Sequence, residues 1–140
     1  MRLLIAESNL RDCWSARVLL SEAGHQVVGA TTSIAAAAVM AEDTTPDLCL
    51  VDARLADRAH RAGGGQGPDR LLLAGSFGSA RRVTLGWLAK PFSALDLLEA
   101  VAVCDGLLRR EPPPSRIDRM GGLTLVPLAG GGMAGDAAPS

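Results

Sequence analysis

Three residues of this chain have types and positions that could do chemistry together: Glu7 after the apolar run 3–6, Asp52 at the end of 48–51, and Lys90 after 86–89. In open α/β sheets, ligands and reactions gather at the carboxyl ends of strands. Two carboxylates and one ammonium around a pocket could serve as hard oxygen ligands for Mg²⁺ and as a fixed cation for a phosphoryl oxygen. A carboxylate so placed can also act as a nucleophile and become an aspartyl phosphate. Asp52 alone reads equally well as a plain turn or cap residue, so the reading rests on the three positions together. Lys90 adds a signal of its own: among 14 basic residues it is the one lysine, the rest being Arg. The two side chains are not interchangeable at a site, so a lysine kept here implies a need for a compact ammonium, with chance as the alternative.

The elements that must position these residues follow from periodicity and breakers. Residues 2–6 read as a first strand, with Glu7-Ser8-Asn9 as turn and helix cap. A helix over 10–23 has Leu10, Trp14, Val18, Leu19 and Ala23 as its apolar set and ends at Gly24. Residues 27–30 form a second strand, and an Ala-rich helix follows over about 34–42. Pro46 introduces the third strand, whose apolar residues show no alternation and so predict burial on both faces. A brief helix, about 55–61, precedes Gly63-Gly64-Gly65-Gln66-Gly67-Pro68, which breaks periodicity. Residues 71–74 predict a fourth strand, 80–83 at most a turn or two of helix, and 86–89 a fifth strand. Ser93-Ala94-Leu95-Asp96 starts a last helix like a capping box, running to about 108 with Leu95, Leu98, Val101, Ala102 and Leu108 inward. Strands alternating with helices predict a doubly wound, five-stranded parallel sheet of the flavodoxin-like class, order 2-1-3-4-5. That order sets Glu7 beside Asp52, with Lys90 reaching in from the edge strand.

Composition bounds the rest. A chain of 140 residues, 48% hydrophobic, supports one globular domain over 1–110. Residues 111–140 hold five Pro and six Gly and predict a flexible tail. Within that tail, 123–128 is either a sticky unstructured segment or a strand that docks on this domain, a second copy or a partner. A net charge of -1 gives no reason to expect nucleic acid or an anionic membrane as partner. Three Cys without C-x-x-C spacing fit a reducing compartment, Cys49 being a small core hydrophobe. His25 and His60 lie at no zinc-ligand spacing from them. The run 3–6 is too short for a signal peptide or a membrane span, so a cytoplasmic protein is expected. Arg109, Arg110, Arg116 and Arg119 read as a solvated helix end.

Over residues 2 to about 108 the chain resembles the receiver domains of two-component response regulators. The resemblance is carried by Leu3-Leu4-Ile5-Ala6-Glu7, by Pro46-Asp47-Leu48-Cys49-Leu50-Val51-Asp52 followed by Leu55, and by Leu88-Ala89-Lys90-Pro91-Phe92. It implies that Asp52 is the phosphoacceptor and Lys90 the phosphoryl contact. Glu7, Asp52 and the backbone carbonyl of Arg54 would be the Mg²⁺ ligands, and Trp87 the aromatic switch residue. A cis Lys90-Pro91 bond and a histidine kinase or phosphotransfer protein as donor are implied as well.

The departures from that family point the other way. Ser8 stands where a second acid is usual, which predicts weak Mg²⁺ binding. Ala74 stands where a Thr or Ser is usual, with Ser76 as the nearest hydroxyl. The spans from Asp52 to Ala74 and from Ala74 to Lys90 are 22 and 16 residues, several short of the family's, so the third and fourth helices are expected to be shortened. Two functions follow: a stand-alone atypical receiver phosphorylated on Asp52 that signals through an output protein, or a phosphorylation-independent pseudo-receiver acting as an interaction module. The slight preference is for the first, and surface exposed by clipped helices would allow a homodimer. An aspartyl hydrolase of the dehalogenase-like kind needs a second acid two positions after the nucleophile, where this chain has Arg54.

Overall fold

A computed structural model of the chain describes residues 1–60, 69–77, 82–109 and 122–126. The elements in order are β1 (Arg2–Ala6), α1 (Leu10–Glu22), β2 (Gln26–Thr31), α2 (Ile34–Thr44), β3 (Leu48–Asp52), α3 (Ala53–His60), β4 (Arg70–Phe77), β5 (Arg82–Ala89), α4 (Ala94–Leu108) and β6 (Leu123–Leu125). They form an α/β structure around one six-stranded sheet of order β2-β1-β3-β4-β5-β6.

The first half follows the expected pattern. Asn9 caps α1 by accepting from the Asp12 N–H, Ser33 caps α2, and Ser93 with Asp96 completes a capping box on α4. Gly24, at φ +99°, takes the left-handed conformation that ends α1. Strands β1 and β3 are buried on both faces and pair in parallel, Leu3 to Leu48 through Ala6 to Val51. Alternation along them divides the core in two. Leu3, Ile5, Leu48 and Leu50 pack under α1 and α4. Leu4, Ala6, Cys49 and Val51 pack toward α2 and α3.

The second half corrects the all-parallel expectation. Strand β4 runs antiparallel to both β3 and β5, so the sheet is mixed. The cause is chain length. β4 and β5 are each eight residues long, which leaves only 78–81 between them, and a parallel crossover needs a dozen or more residues. With β5 parallel to β3, the strand between them must be reversed. The fourth helix expected over 80–83 has no room, since β5 already begins at Arg82. The register of this hairpin slips at Leu73/Ala74 and again at Ala74/Ser76, leaving Leu85 and then Gly75 without a partner. The bulge at Leu85 lets it and Leu88 face the same α1/α4 side.

The helix faces also differ from expectation. In α4 the buried residues are Leu97, Ala100, Val101, Val103 and Cys104, whereas Leu95 and Leu108 are exposed. That helix is apolar nearly all round, so periodicity alone could not choose its inward face. In α1 it is Cys13 and Leu20 that are buried, and Leu10, Trp14 and Val18 face solvent.

The 123–128 segment contributes β6, which docks on this domain by pairing antiparallel with β5, Gly86 to Leu125 and Leu88 to Leu123. The poly-Gly run and most of the tail lie outside the described residues. Gly86 permits the close approach of β6, because a Cβ built there would lie 2.3 Å from the Thr124 carbonyl oxygen. Gly86→Ala is therefore expected to displace β6, at a cost of about 1–3 kcal/mol. Hydrogen exchange checks this: the amides of 123–126 should lose protection while those of β1 and β3 keep theirs, and unchanged protection of β6 would contradict it.

Candidate functional site

Continuing the alternation of β1 and β3 places Glu7 and Asp52 on the α1/α4 side, at the carboxyl ends of neighbouring strands. Asp52 is 1% exposed and Glu7 4% exposed. Lys90, at the end of β5, reaches them from two strands away. Its Nζ lies 2.5 Å from Glu7 Oε1 and 3.7 Å from Asp52 Oδ2, with its side chain 13% exposed. The three residues singled out by type and spacing thus converge. The Lys90-Pro91 bond is cis, as the resemblance implies.

Every described partner of Asp52 comes from the chain's own groups. Its Oδ1 accepts the Arg54 N–H at 3.1 Å, and its Oδ2 accepts both the Ser8 hydroxyl and, at 3.4 Å, the Ser8 N–H. Ser8 also donates its N–H to Glu7 Oε2 at 2.9 Å. Burial pushes the Asp52 pKa up, but hydrogen bonds from Glu7, Ser8 and the Arg54 N–H, together with the Lys90 charge, outweigh it and hold the group below its usual value. Glu7 goes the opposite way. Burial first, then its interaction with Asp52, raise its pKa to about 7 despite the Lys90 ammonium. Near neutral pH Glu7 therefore holds a proton part of the time, which lessens its repulsion of Asp52.

Sequence reasoning missed one member of this group, Asp69. The reversal of β4 puts the start of that strand, not its end, beside Asp52, which pairs with Leu71. Asp69, just before β4, is fixed there because its carbonyl accepts the Lys90 N–H at 2.9 Å. Its carboxylate stands 3.9 Å from Lys90 Nζ and 3.9 Å from Arg54 Nε. No local signal finds it, because the apolar run 71–74 reads the same in either direction.

The same reversal separates the expected switch residues from the site. Ala74 is opposite Cys49, three residues below Asp52, and is packed in the α2/α3 core. Ser76 lies farther along β4, opposite Val83, so the strand carries it away from Asp52. Trp87 packs toward the α2/α3 core with the Arg70 guanidinium 4.8 Å over its ring. Neither Ala74, Ser76 nor Trp87 is brought to the carboxylates.

A magnesium ion fits this donor set poorly as it stands. It requires near-octahedral oxygen ligands at about 2.0–2.1 Å, whereas the Lys90 ammonium already lies against both Glu7 and Asp52, and Ser8 is bonded to Asp52. Arg54 donates its backbone N–H to Asp52 Oδ1. No family model matches this sequence, and no curated protein or solved structure matches it either. Among the described residues no helix is long and apolar enough to cross a membrane.

The shift of Glu7 has a stability consequence whose sign is fixed. A carboxyl raised from 4.5 to about 7 keeps its proton in the folded state while the unfolded chain ionises. Stability therefore falls as pH rises from 4.5 and is fully reduced above 7, by on the order of 3 kcal/mol. Asp52 works in the opposite sense, adding stability above its unfolded pKa that is lost in acid. Glu7→Gln should thus gain on the wild type between pH 5 and 8 by roughly 2–3 kcal/mol, as measured by urea unfolding at both pH values. A pH-independent difference would contradict the shift.

Proposed function

We propose that the chain is a receiver-like α/β module that acts by binding a protein partner, without phosphorylation of Asp52. The observation that supports this most is the closure of Asp52: a carboxylate 1% exposed, with Ser8, the Arg54 N–H and Lys90 on its oxygens. Attack on a phosphorus atom needs a free lone pair within about 3–3.5 Å and in line. Here Oδ2 already accepts the Ser8 hydroxyl and N–H and faces Lys90, Oδ1 accepts the Arg54 N–H, and the side chain is buried. The antiparallel β4 supports the same reading, since it puts Asp69 where a phosphoryl-binding hydroxyl would be needed. A second carboxylate there repels a phosphoryl group instead of holding it.

The binding role draws on α1. Leu10, Trp14 and Val18 recur at i, i+4, i+8 and form an exposed stripe, Leu10 at 74% and Trp14 at 61% exposure. On a helical wheel Arg11 and Arg17 border this stripe on either side, and Arg17 stacks 5.5 Å over the Trp14 ring. A partner helix with an apolar face and acidic flanks is complementary to it.

The phosphoacceptor alternative is decided by intact-protein mass after incubation with acetyl phosphate and excess Mg²⁺, beside Asp52→Asn. The expected result is no phosphoryl adduct on either protein, with circular dichroism confirming the fold. An adduct on the wild type that Asp52→Asn abolishes would overturn this reading and make Ser8 a tuning residue of a working receiver.

A further inference from the structure

On the α1/α4 side of the sheet, next to the carboxylates, a cleft of about 420 Å³ opens between the two helices. Its floor is apolar, from Ile5, Leu50 and Leu71 on three adjacent strands, and Phe92 and Leu97 form one wall. Its polar edge is made by Glu7, Asp69 and Lys90, with Asp12 contributed by α1. Small-molecule sites have this construction: a volume of about 300–1,000 Å³, mostly apolar walls and a few convergent polar groups.

The sign of charge at that edge selects the ligand. Among the described residues Lys90 is the one cation lining the cleft, and it is already shared by Glu7 at 2.5 Å, Asp52 at 3.7 Å and Asp69 at 3.9 Å. Arg54 meets Asp69 at 3.9 Å through a half-exposed side chain and does not line the cleft. Asp12 adds a further carboxylate on the α1 rim. An anion entering the cleft would meet Asp12 and Asp69 and would have to draw Lys90 off its carboxylates. A neutral apolar molecule would leave the excess of carboxylates over cations at that edge unbalanced. A cation finds both parts of the cleft complementary.

We propose that this cleft binds a small amphipathic amine, its hydrocarbon body against Ile5, Leu50, Leu71 and Phe92 and its ammonium between Asp69 and Asp12. The inference rests on the reading of the Asp52 pocket as closed, because Lys90 must stay on its carboxylates for the edge to remain acidic. Occupancy would tie α1 to α4 and so act on the helix that carries the exposed Trp14 stripe.

The test compares three probes of one shape, 4-phenylbutylamine, 4-phenylbutan-1-ol and 4-phenylbutyrate, titrated into the full chain without any phosphodonor. Thermal shift and backbone amide NMR shifts are the readouts. The amine is expected to raise the melting temperature saturably and to move the amides of Ile5, Leu50 and Leu71. The alcohol should bind at least about tenfold more weakly, the share of one charged contact in a part-exposed site, and the acid should not bind. Asp69→Asn should weaken the amine by about tenfold. Ala94→Phe, a change at an exposed position that fills the cleft mouth from α4, should abolish it with the fold intact. Equal binding of all three probes, binding of the acid, no binding to folded protein, or an amine affinity indifferent to Ala94→Phe would each overturn the proposal. A phosphoryl adduct is read separately by mass, so its appearance would undo the closed-pocket reading without being confused with a failure of the amine to bind.

Discussion

The contact on which the rest depends is the Lys90 ammonium among Glu7, Asp52 and Asp69. Two of those carboxylates are almost wholly buried, and an unpaired buried charge costs several kcal/mol. Three strand ends must therefore meet at one point, and most features of the second half of the chain serve that meeting. β5 has to be parallel to β3 so that its carboxyl end delivers Lys90. With so short a link between β4 and β5, β4 must then run the other way, which brings Asp69 to the cation as a third carboxylate. The hydrogen bond from the Lys90 N–H to the Asp69 carbonyl ties the two strand termini at the same place. Glu7 eases the excess of negative charge by holding its proton up to about pH 7.

Reversing one central strand changes what a sheet of this order can do. In an all-parallel sheet the ends of β3 and β4 would face the same pocket, and a hydroxyl at the end of β4 could answer a change at Asp52. Here β4 ends at Phe77, opposite Arg82 and away from Asp52, and Ala74 is a packing residue. The hairpin also removes the helix that would have covered the sheet beyond β4. What caps this side instead is β6, laid on the outer edge of β5 over Gly86. An uncovered strand edge is a template for pairing with other chains, and β6 occupies the stretch of that edge from Gly86 to Leu88.

How much of this was legible follows from which signals survive reversal. The ends of β1 and β3, the caps of α1, α2 and α4 and the singularity of Lys90 are local features, and each was readable because nothing distant changes it. The direction of β4 was not. Leu71-Leu72-Leu73-Ala74 is apolar on both faces and reads the same in either sense, and an underestimate of β5 by four residues left apparent room for a helix. A parallel β4 would put Asp69 at the far end of the sheet from Asp52 and Ser76 beside it; the antiparallel strand does the reverse. The inward face of α4 failed for a related reason: with apolar residues around most of its circumference, tertiary contacts and not pattern decide which are buried.

The site also shows why three matching residues do not by themselves define a reaction. Asp52, Glu7 and Lys90 are the types and positions a phosphoryl pocket would need, yet the same groups without a second acid beside Glu7 satisfy one another. Replacing that acid with Ser8 supplies a hydroxyl and an N–H to Asp52 where a metal-binding charge would otherwise be. Lys90 can then settle on Glu7, and the carboxylate that would have attacked becomes the acceptor in a closed network. Such a network rigidifies the strand ends. What it leaves open is the neighbouring ground on the α1/α4 face, where Asp69 and Asp12 still present charge to the cleft. On the proposed reading, the part of this chain open to a ligand is the space beside the nucleophile position and not Asp52 itself.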